Sequence, residues 1–171
     1  MNAISIRPAL PADFDAIARL TVAAYEADGQ LVGEHGYGRV LADVSSRAHA
    51  GELLVAVDQP SGTVLGSVLF VLPGSPYAEL SGSGEAEFRM LAVDPSAQGR
   101  GVGSALVRAC LTRAVELNCQ AVVICTRSFA AAAHRLYARL GFVRTPERDW
   151  SPMVDVELHV LRLDLPVRAS A

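Results

Sequence analysis

The chain has 171 residues and a mass of 18.1 kDa, the size of one globular domain that can bury its own apolar core. Its 15 basic and 18 acidic residues give a formal net charge of -3, so the composition offers no broad basic surface for a nucleic acid. Every basic residue is an arginine, and the lack of lysine excludes a Walker-type phosphate loop, which needs a lysine after its last glycine. We expect a single domain over residues 1–171 and no nucleic-acid partner.

The three cysteines, Cys110, Cys119 and Cys125, lie in apolar surroundings and lack the spacing of metal ligands. We expect small buried side chains in a reducing compartment, and no metal. The N-terminal residues lack a basic leader with a long apolar run, and the apolar run at 64–72 is too short to span a bilayer. The sequence therefore predicts a soluble, cytoplasmic protein with no membrane partner.

Apolar patterns in the first half predict five elements. In chain order they are a strand at 3–10, a helix at 11–27, a helix with a weaker apolar pattern at 39–50, and two strands at 52–58 and 63–72 that form an antiparallel hairpin. Pro11 and Asp13 suit the first turn of the first helix. The composition of the turn between the two hairpin strands, QPSG, favours a tight reversal of the chain. A flexible segment at 73–86 follows, which we interpret as a long loop rather than a linker between domains.

The second half predicts a strand at 87–93, a helix at 102–117, a strand at 121–127, a short helix at 130–141, and strand-like runs at 142–145 and 154–165. The helix at 102–117 follows one strand and precedes a β-branched one, as in a right-handed strand-helix-strand crossover between parallel strands. Gly141 is placed to end the short helix. The polar stretch at 146–152 is expected to separate the last two strand-like runs.

Three glycines, Gly99, Gly101 and Gly103, stand between the strand and the helix that follows it. The first N–H groups of a helix have no partner within the helix, so a glycine-rich helix start can receive a phosphate. The dinucleotide fingerprint G-x-G-x-x-G is not matched, because its third position falls on Ser104 or Leu106. From spacing alone, a phosphate site and a plain glycine-rich turn remain as alternatives.

The stretch LAVDPSAQGRGVGSALV (91–107) resembles the acyl-CoA-binding signature of the GNAT superfamily of N-acyltransferases, through Gln98, Gly101 and Gly103. LYARLGF (136–142) is similar to the second hallmark segment of that superfamily, and the order of elements from 1 to 165 also resembles it. The resemblance implies an α/β (α+β) fold with one domain. It implies a mixed, mostly antiparallel sheet of about six to seven strands, flanked by helices, with a central parallel pair splayed to hold acyl-CoA.

The resemblance further implies an acetyl-CoA-dependent N-acetyltransferase without a metal, in which an amine attacks the thioester directly in a ternary complex. Backbone of Leu91, Ala92 and Val93 would pair with the pantetheine arm, beside a bulge in the strand. The pyrophosphate would lie on the residues of the glycine cluster, namely Gln98, Gly99, Arg100, Gly101, Val102, Gly103 and Ser104. This chain has Ala130 where many members carry an asparagine that contacts the cofactor, and an alanine side chain cannot make that contact.

An alkyl amine has a pKa of about 10.4 and must lose a proton before it attacks. Glu87 stands where some family members carry the base, and the alternative is a surface ion pair between Glu87 and Arg89, which share a strand face. Glu85, Glu34 and His35 are further candidates for the base. A strand N–H, that of Val93 or a neighbour, would meet the oxyanion.

The tyrosine of the LY pair, Tyr137, is implied by the resemblance as the acid that protonates the departing coenzyme thiolate. The plainer interpretation places it with Ala133, Leu136 and Leu140 on the inward stripe of a short helix. Both interpretations hold together if that stripe faces the slot.

Acidic residues are expected near the acceptor cleft and favour a cationic amine, either a small molecule or a peptide; they are Glu26, Asp28, Glu34, Asp149 and Asp155. Trp150 lines that pocket or packs the loop between the final strands. The alternative to an enzyme is a catalytically degenerate acyl-CoA-binding sensor or partner module. Transfer of a longer acyl chain and a homodimer are further options that the sequence leaves open.

Overall fold

A mixed sheet of eight strands runs through the described part of the chain, which in the computed structural model comprises residues 3–32 and 36–166. The strands are β1 (Ile4–Pro8), β2 (Glu52–Asp58), β3 (Val64–Val71), β4 (Glu85–Val93), β5 (Ala121–Arg127), β6 (Val143–Arg144), β7 (Trp150–Met153) and β8 (Val156–Asp164). The α-helices are α1 (Phe14–Ala27), α2 (Tyr37–Ala42), α3 (Val44–Ala50), α4 (Val102–Glu116) and α5 (Ala131–Arg139). Short 3₁₀ turns precede α1, α4 and β7.

The strand order is β1-β2-β3-β4-β5-β8-β6, and β7 pairs with β8. All of these pairings are antiparallel except that of β4 with β5, which α4 connects. The mixed, mostly antiparallel sheet with a central parallel pair is therefore confirmed, with eight strands in the described residues rather than six or seven.

Helices cover both faces of the sheet. On one face α4 and α5 pack on a core that includes Phe88, Leu106 and Ile124. On the other face α1 and α3 pack on a second core that includes Ile17 and Leu69. Because side chains alternate along a strand, β4 contributes residues to both sides.

Two predicted elements differ from the structure. The helix expected at 39–50 is two helices, because Asp43 interrupts it and accepts a hydrogen bond of 3.2 Å from the Ser46 N–H as the cap of α3. The polar stretch at 146–152, expected to be a connection, contains most of β7, which forms a hairpin with β8. Asp155 makes that reversal with a φ of +65°.

The other elements of the second half lie close to their predicted positions, and Gly141 ends α5 with a φ of +96°. Cys110 is buried, whereas Cys119 and Cys125 are half-buried, and all three are free thiols. No helix among the described residues has the length and apolar character needed to cross a membrane.

Gly66 of β3 allows the close approach of β4 and α4. A Cβ at this position would lie 2.8 Å from the Ala92 carbonyl oxygen and 2.8 Å from Val102 Cγ1. We expect Gly66→Ala to lower the free energy of unfolding by about 1–3 kcal/mol, because backbone must move to accept the methyl group. Urea unfolding measures the change.

Gly82→Ala is the matched control, since its added Cβ would meet its nearest neighbour, Glu85 Oε1, at an ordinary 3.7 Å. Its effect should stay within about 0.5 kcal/mol. Equal losses in the two variants would contradict this account of Gly66.

Candidate active site

The central parallel strands separate from each other after a short contact. β4 and β5 pair only from Glu85 with Ala121 to Glu87 with Val123. Beyond that point β4 stays paired with β3, and β5 stays paired with β8 as far as Arg127. The facing backbone edges of 88–93 and 124–127 therefore border an open slot.

A β-bulge in β4 lies at the beginning of this slot. Leu69 pairs with Arg89 and Ser67 pairs with Ala92, so β4 contains one more residue than β3 across this interval. Met90 has a φ of +55°, in the left-handed region. A bulge bends its strand and breaks the pairing locally, and a bulge at this place is what the family resemblance implies.

The bulge also reverses which side chains face which core. Before it, Phe88 packs on the α4 and α5 side, and after it Leu91 and Val93 do so. Ala92 packs instead against α1. The backbone of 91–93 is therefore paired with β3 on one edge and borders the slot on the other.

The glycine cluster forms an open cradle at the N-terminus of α4. Gly99 and Gly101 both have a φ of +79°, and no atom lies within 4 Å of a Cβ added to either. Gly103 packs more closely, because an added Cβ would lie 3.3 Å from Leu136 Cδ2 of α5. The first N–H groups of α4, from Val102 to Ser104, have no partner within the helix, so this end favours an anion.

Arg100 does not add a free charge to this cradle. Its Nη2 lies 2.8 Å from Asp58 Oδ1, at the end of β2. This ion pair fastens the glycine loop to the β2–β3 turn, so the anion-binding character of the cradle comes from backbone amides. Gln98 is exposed beside it.

Tyr137 lies on α5 with its ring packed between the aromatic rings of two neighbours. The ring centroids are 6.0 Å from Phe88 and 5.7 Å from Phe142, and the residue is 5% exposed. Burial raises the pKa of the Tyr137 phenol well above its ordinary value. The packing interpretation is confirmed, and the acid role stays a prediction for a phenol that remains protonated.

Ala130, where the family resemblance leads one to expect an asparagine, precedes α5 and is buried. Its methyl group supplies no hydrogen bond there. His134, one turn further, places its Nε2 3.2 Å from the Arg127 carbonyl oxygen.

Glu87 is fully buried at the point where β4 and β5 separate. Its Oε1 accepts hydrogen bonds from the backbone N–H groups of Glu79 (3.1 Å), Leu80 (3.0 Å) and Ser81 (3.0 Å). The alternative of a surface ion pair with Arg89 is wrong, because the loop before β4 covers the Glu87 carboxylate. Its role as a base stays a prediction.

Arg89 contacts the same loop. It donates from Nη1 to the Tyr77 carbonyl oxygen at 3.0 Å and forms an ion pair with Glu79. Burial raises the pKa of Glu79, the charge of Glu87 adds to this, and Arg89 opposes it. Sequence reasoning missed Glu79, although it is the only charged residue between 73 and 84.

Two tyrosines, from α1 and α2, lie near Arg89 of β4. The rings of Tyr25 (α1) and Tyr37 (α2) lie 6.0 Å apart, and burial raises the pKa of both. Burial is the main cause for Tyr25, and the Arg89 charge opposes it. Tyr25 and Tyr37 therefore form an aromatic pair on the α1 and α2 side of β4.

The remaining acidic candidates are dispersed. Glu85 accepts from Arg148 at 2.9 Å and also pairs with Arg162, while Asp149 Oδ2 lies 2.7 Å from Arg144 Nη2. Of the other acidic candidates, Glu26, Asp28 and Asp155 are exposed. Glu34 and His35 lie outside the described residues.

Trp150 is half-buried in β7, opposite Leu158 of β8. Its indole N–H is buried and has no hydrogen-bond partner in the described structure. Residues 3–32 and 36–166 contain no group of three His, Cys, Asp or Glu side chains that could hold a metal ion.

The sequence and the fold match a known family. Residues 14–142 match the Acetyltransferase (GNAT) family, so the chain belongs to that family of acyltransferases. A GCN5-related N-acetyltransferase from Kribbella flavida is 30% identical, with a TM-score of 0.70 over 95% of this chain and 98% of that chain.

Two further proteins are informative. A Salmonella typhimurium protein described as an acetyltransferase, whose structure contains its cofactor acetyl-CoA, is 24% identical, covers 99% of this chain and 98% of its own, and has a TM-score of 0.66. N-acetylaspartate synthetase from Danio rerio is 40% identical over 63 residues. That match spans 37% of this chain and only 22% of the synthetase.

The ion pairs of Glu85 predict a pH-dependent contribution to stability. Burial opposes ionisation of Glu85, but hydrogen bonds from Arg148 and the Gly82 N–H, with the charge of Arg162, hold its pKa below the ordinary value. A lowered folded-state pKa stabilises the fold above the unfolded pKa of about 4.3, and the contribution is lost as pH falls through the folded value. We expect Glu85→Gln to lower the free energy of unfolding by about 2 kcal/mol at pH 7.

Denaturant unfolding at pH 7 and at about pH 3 measures this, and the deficit of the variant should shrink at the lower pH. Glu116→Gln, which alters a glutamate with a 53% exposed side chain, is the control and should change little at either pH. A deficit that does not depend on pH would contradict the electrostatic explanation.

Proposed function

We propose that this chain transfers an acetyl group from acetyl-CoA to a primary amine of a small molecule or peptide, by direct attack in a ternary complex. The observation that carries the proposal is the slot between β4 and β5, which is bordered by 91–93, ends near the N-terminus of α4, and has Tyr137 beside it. Membership of the acetyltransferase family supports the same chemistry.

The residues present fit the coenzyme. Acetyl-CoA supplies the activated acetyl thioester when bound. Amide N–H groups from Gly99 to Ser104 would hold its pyrophosphate, because two left-handed glycines leave the backbone accessible there. The backbone of 91–93 would pair with the amide-containing arm as an added strand does.

The thiols argue for direct attack rather than an acetyl-cysteine. Burial raises the pKa of Cys125, beside the slot, to about 12, and it also raises the pKa of Cys110 and Cys119. A thiol is nucleophilic only as thiolate. None of the described cysteines is therefore an activated thiolate at neutral pH, which supports the acceptor amine as the nucleophile.

Tyr137 is proposed as the acid. Its phenol keeps its proton at neutral pH, because burial raises its pKa, and it can give that proton to the departing sulfur. An N–H freed by the bulge at Met90, or one along 91–93, would stabilise the negative charge that develops on the carbonyl oxygen.

A second candidate function is an acyl-CoA-binding sensor without turnover. Ala130 favours it, because the contact normally supplied by asparagine is missing. Release of free thiol from acetyl-CoA distinguishes the two, with polyamines, aminoglycosides, peptides with free N-termini and amino acids as acceptors. L-aspartate belongs in that panel because of the partial similarity to N-acetylaspartate synthetase.

The glycine cradle predicts a specific loss of coenzyme affinity. Gly101→Ala forces an alanine to a φ of +79°, which costs about 1 kcal/mol, although no atom would clash with the added methyl group. We expect the free loop of the variant to relax from this conformation, so that coenzyme binding must restore it and the dissociation constant of acetyl-CoA rises about 5-fold, since RT ln 5 is about 1 kcal/mol. Isothermal titration calorimetry measures it.

Gly29→Ala introduces the same methyl group at a φ of +72°, again in open space, beyond the end of α1. It should leave coenzyme affinity unchanged at a similar cost in stability. If both variants lose affinity equally, the cradle is not the coenzyme site.

The acid role predicts a loss of rate without a loss of binding. Tyr137→Phe keeps the ring contacts with Phe88 and Phe142 but removes the proton donor, so kcat should fall about 100-fold while acetyl-CoA affinity holds. Steady-state thiol release and calorimetry provide the two values. Tyr77→Phe, in the α1–α3 core, is the control, and an unchanged kcat in Tyr137→Phe would exclude the acid role.

A further inference from the structure

The loop at 73–84 is fixed to the sheet by one buried carboxylate. Its composition, rich in glycine, serine and proline, predicts a flexible segment. Three consecutive backbone N–H groups, from Glu79 to Ser81, nevertheless converge on Oε1 of Glu87 at 3.0–3.1 Å. The Glu79 N–H also lies 3.2 Å from Glu87 Oε2.

Arg89 provides a second attachment of the same loop. It lies two residues after Glu87 on the same face of β4, beyond the point where β5 separates. It donates to the Tyr77 carbonyl oxygen and pairs with the Glu79 carboxylate. Backbone and side chain of Glu79 are therefore both fixed beside the slot, on the side of α1 and α2.

We propose that Glu79 is the catalytic residue that takes the proton from the acceptor ammonium, and that Glu87 is a positioning residue that holds Glu79 there. This inference rests on the proposed acetyl transfer. It departs from the sequence-based expectation for Glu87, since Oε1 of that carboxylate accepts three amide hydrogen bonds and the residue has no exposed surface. Glu79, in contrast, keeps 25% of its side chain exposed.

The proton moves from the ammonium nitrogen to a carboxylate oxygen of Glu79, which leaves a neutral amine and a carboxylic acid. The amine nitrogen then bonds to the acetyl carbon, the carbon–sulfur bond breaks, and the sulfur leaves with the proton of Tyr137. The nitrogen gives its excess proton back to the tyrosine oxygen. Glu79 releases its proton to solvent, so one proton is released for each amide formed.

The charged surroundings suit this role. The groups that act on Glu79 are Glu87 and Arg89 from β4, with Tyr37 from α2 and Cys125 from β5 nearby. Burial first, and then the Glu87 charge, raise the pKa of Glu79, and Arg89 opposes them. A carboxylate with a raised pKa is a better base near neutral pH, and two carboxylates in different surroundings commonly divide the work.

The test is the pH dependence of kcat/KM for thiol release from acetyl-CoA, with the most active amine of the acceptor panel. Glu79→Gln should lower kcat/KM about 100-fold at pH 7 and abolish the acidic limb of the profile. Glu79→Asp should keep that limb at a reduced rate, because it retains a carboxylate. Acetyl-CoA affinity should be unchanged in both variants.

Glu87→Gln should give a different result. The acidic limb remains but moves to lower pH, because the charge that helps to raise the pKa of Glu79 is gone. Amide hydrogen exchange at 79–81 should become faster in this variant and not in Glu79→Gln. Glu116→Gln, on the exposed face of α4, is the control and should match the wild type in every measurement.

Two outcomes overturn the inference alone, namely a Glu79→Gln variant with wild-type rate and profile, or loss of the acidic limb in Glu87→Gln but not in Glu79→Gln. A wild-type chain that binds acetyl-CoA but releases no thiol with any amine of the panel overturns the proposed function, and this inference with it. The failures are thus distinguishable.

Discussion

The separation of β4 from β5 after Glu87 is the constraint on which the rest of the site depends. β4 must separate from β5 while it stays paired with β3. The extra residue of the bulge at Met90 bends β4 and so allows this. A methionine at a φ of +55° costs about 1–2 kcal/mol. Burial of its side chain, which is 5% exposed, helps to offset that strain.

Because side chains alternate along β4, this strand contributes residues to both faces of the sheet. One face places Phe88 under Tyr137, beside the helix whose N-terminus forms the glycine cradle. The other face presents Glu87 and Arg89 to the loop and the tyrosines of α1 and α2. In the proposed reaction this strand would divide the coenzyme side from the acceptor side, and the reacting atoms would meet along its bulged segment.

Local pattern was enough to predict the long elements and a glycine-rich turn before α4, since apolar periodicity and glycine spacing are properties of short segments such as 102–116. Tertiary contacts determine what was missed. Pro152 and the polar residues around Trp150 disfavour a strand prediction for β7. This strand forms because it pairs with β8. The conformation of Met90 follows from the sheet register, and the fixed position of Glu79 follows from a carboxylate eight residues away in sequence, so neither is visible in composition.

The slot has a thermodynamic consequence. Backbone edges of a sheet ordinarily meet another strand, and this fold leaves two of them facing each other across a gap in its interior. A molecule that fills the gap and pairs with them completes the sheet, so occupancy and folding are linked. A ligand at 100 times its dissociation constant adds about 2.7 kcal/mol to the free energy of unfolding, and under the proposed function the heat resistance of this protein would therefore follow the concentration of acetyl-CoA.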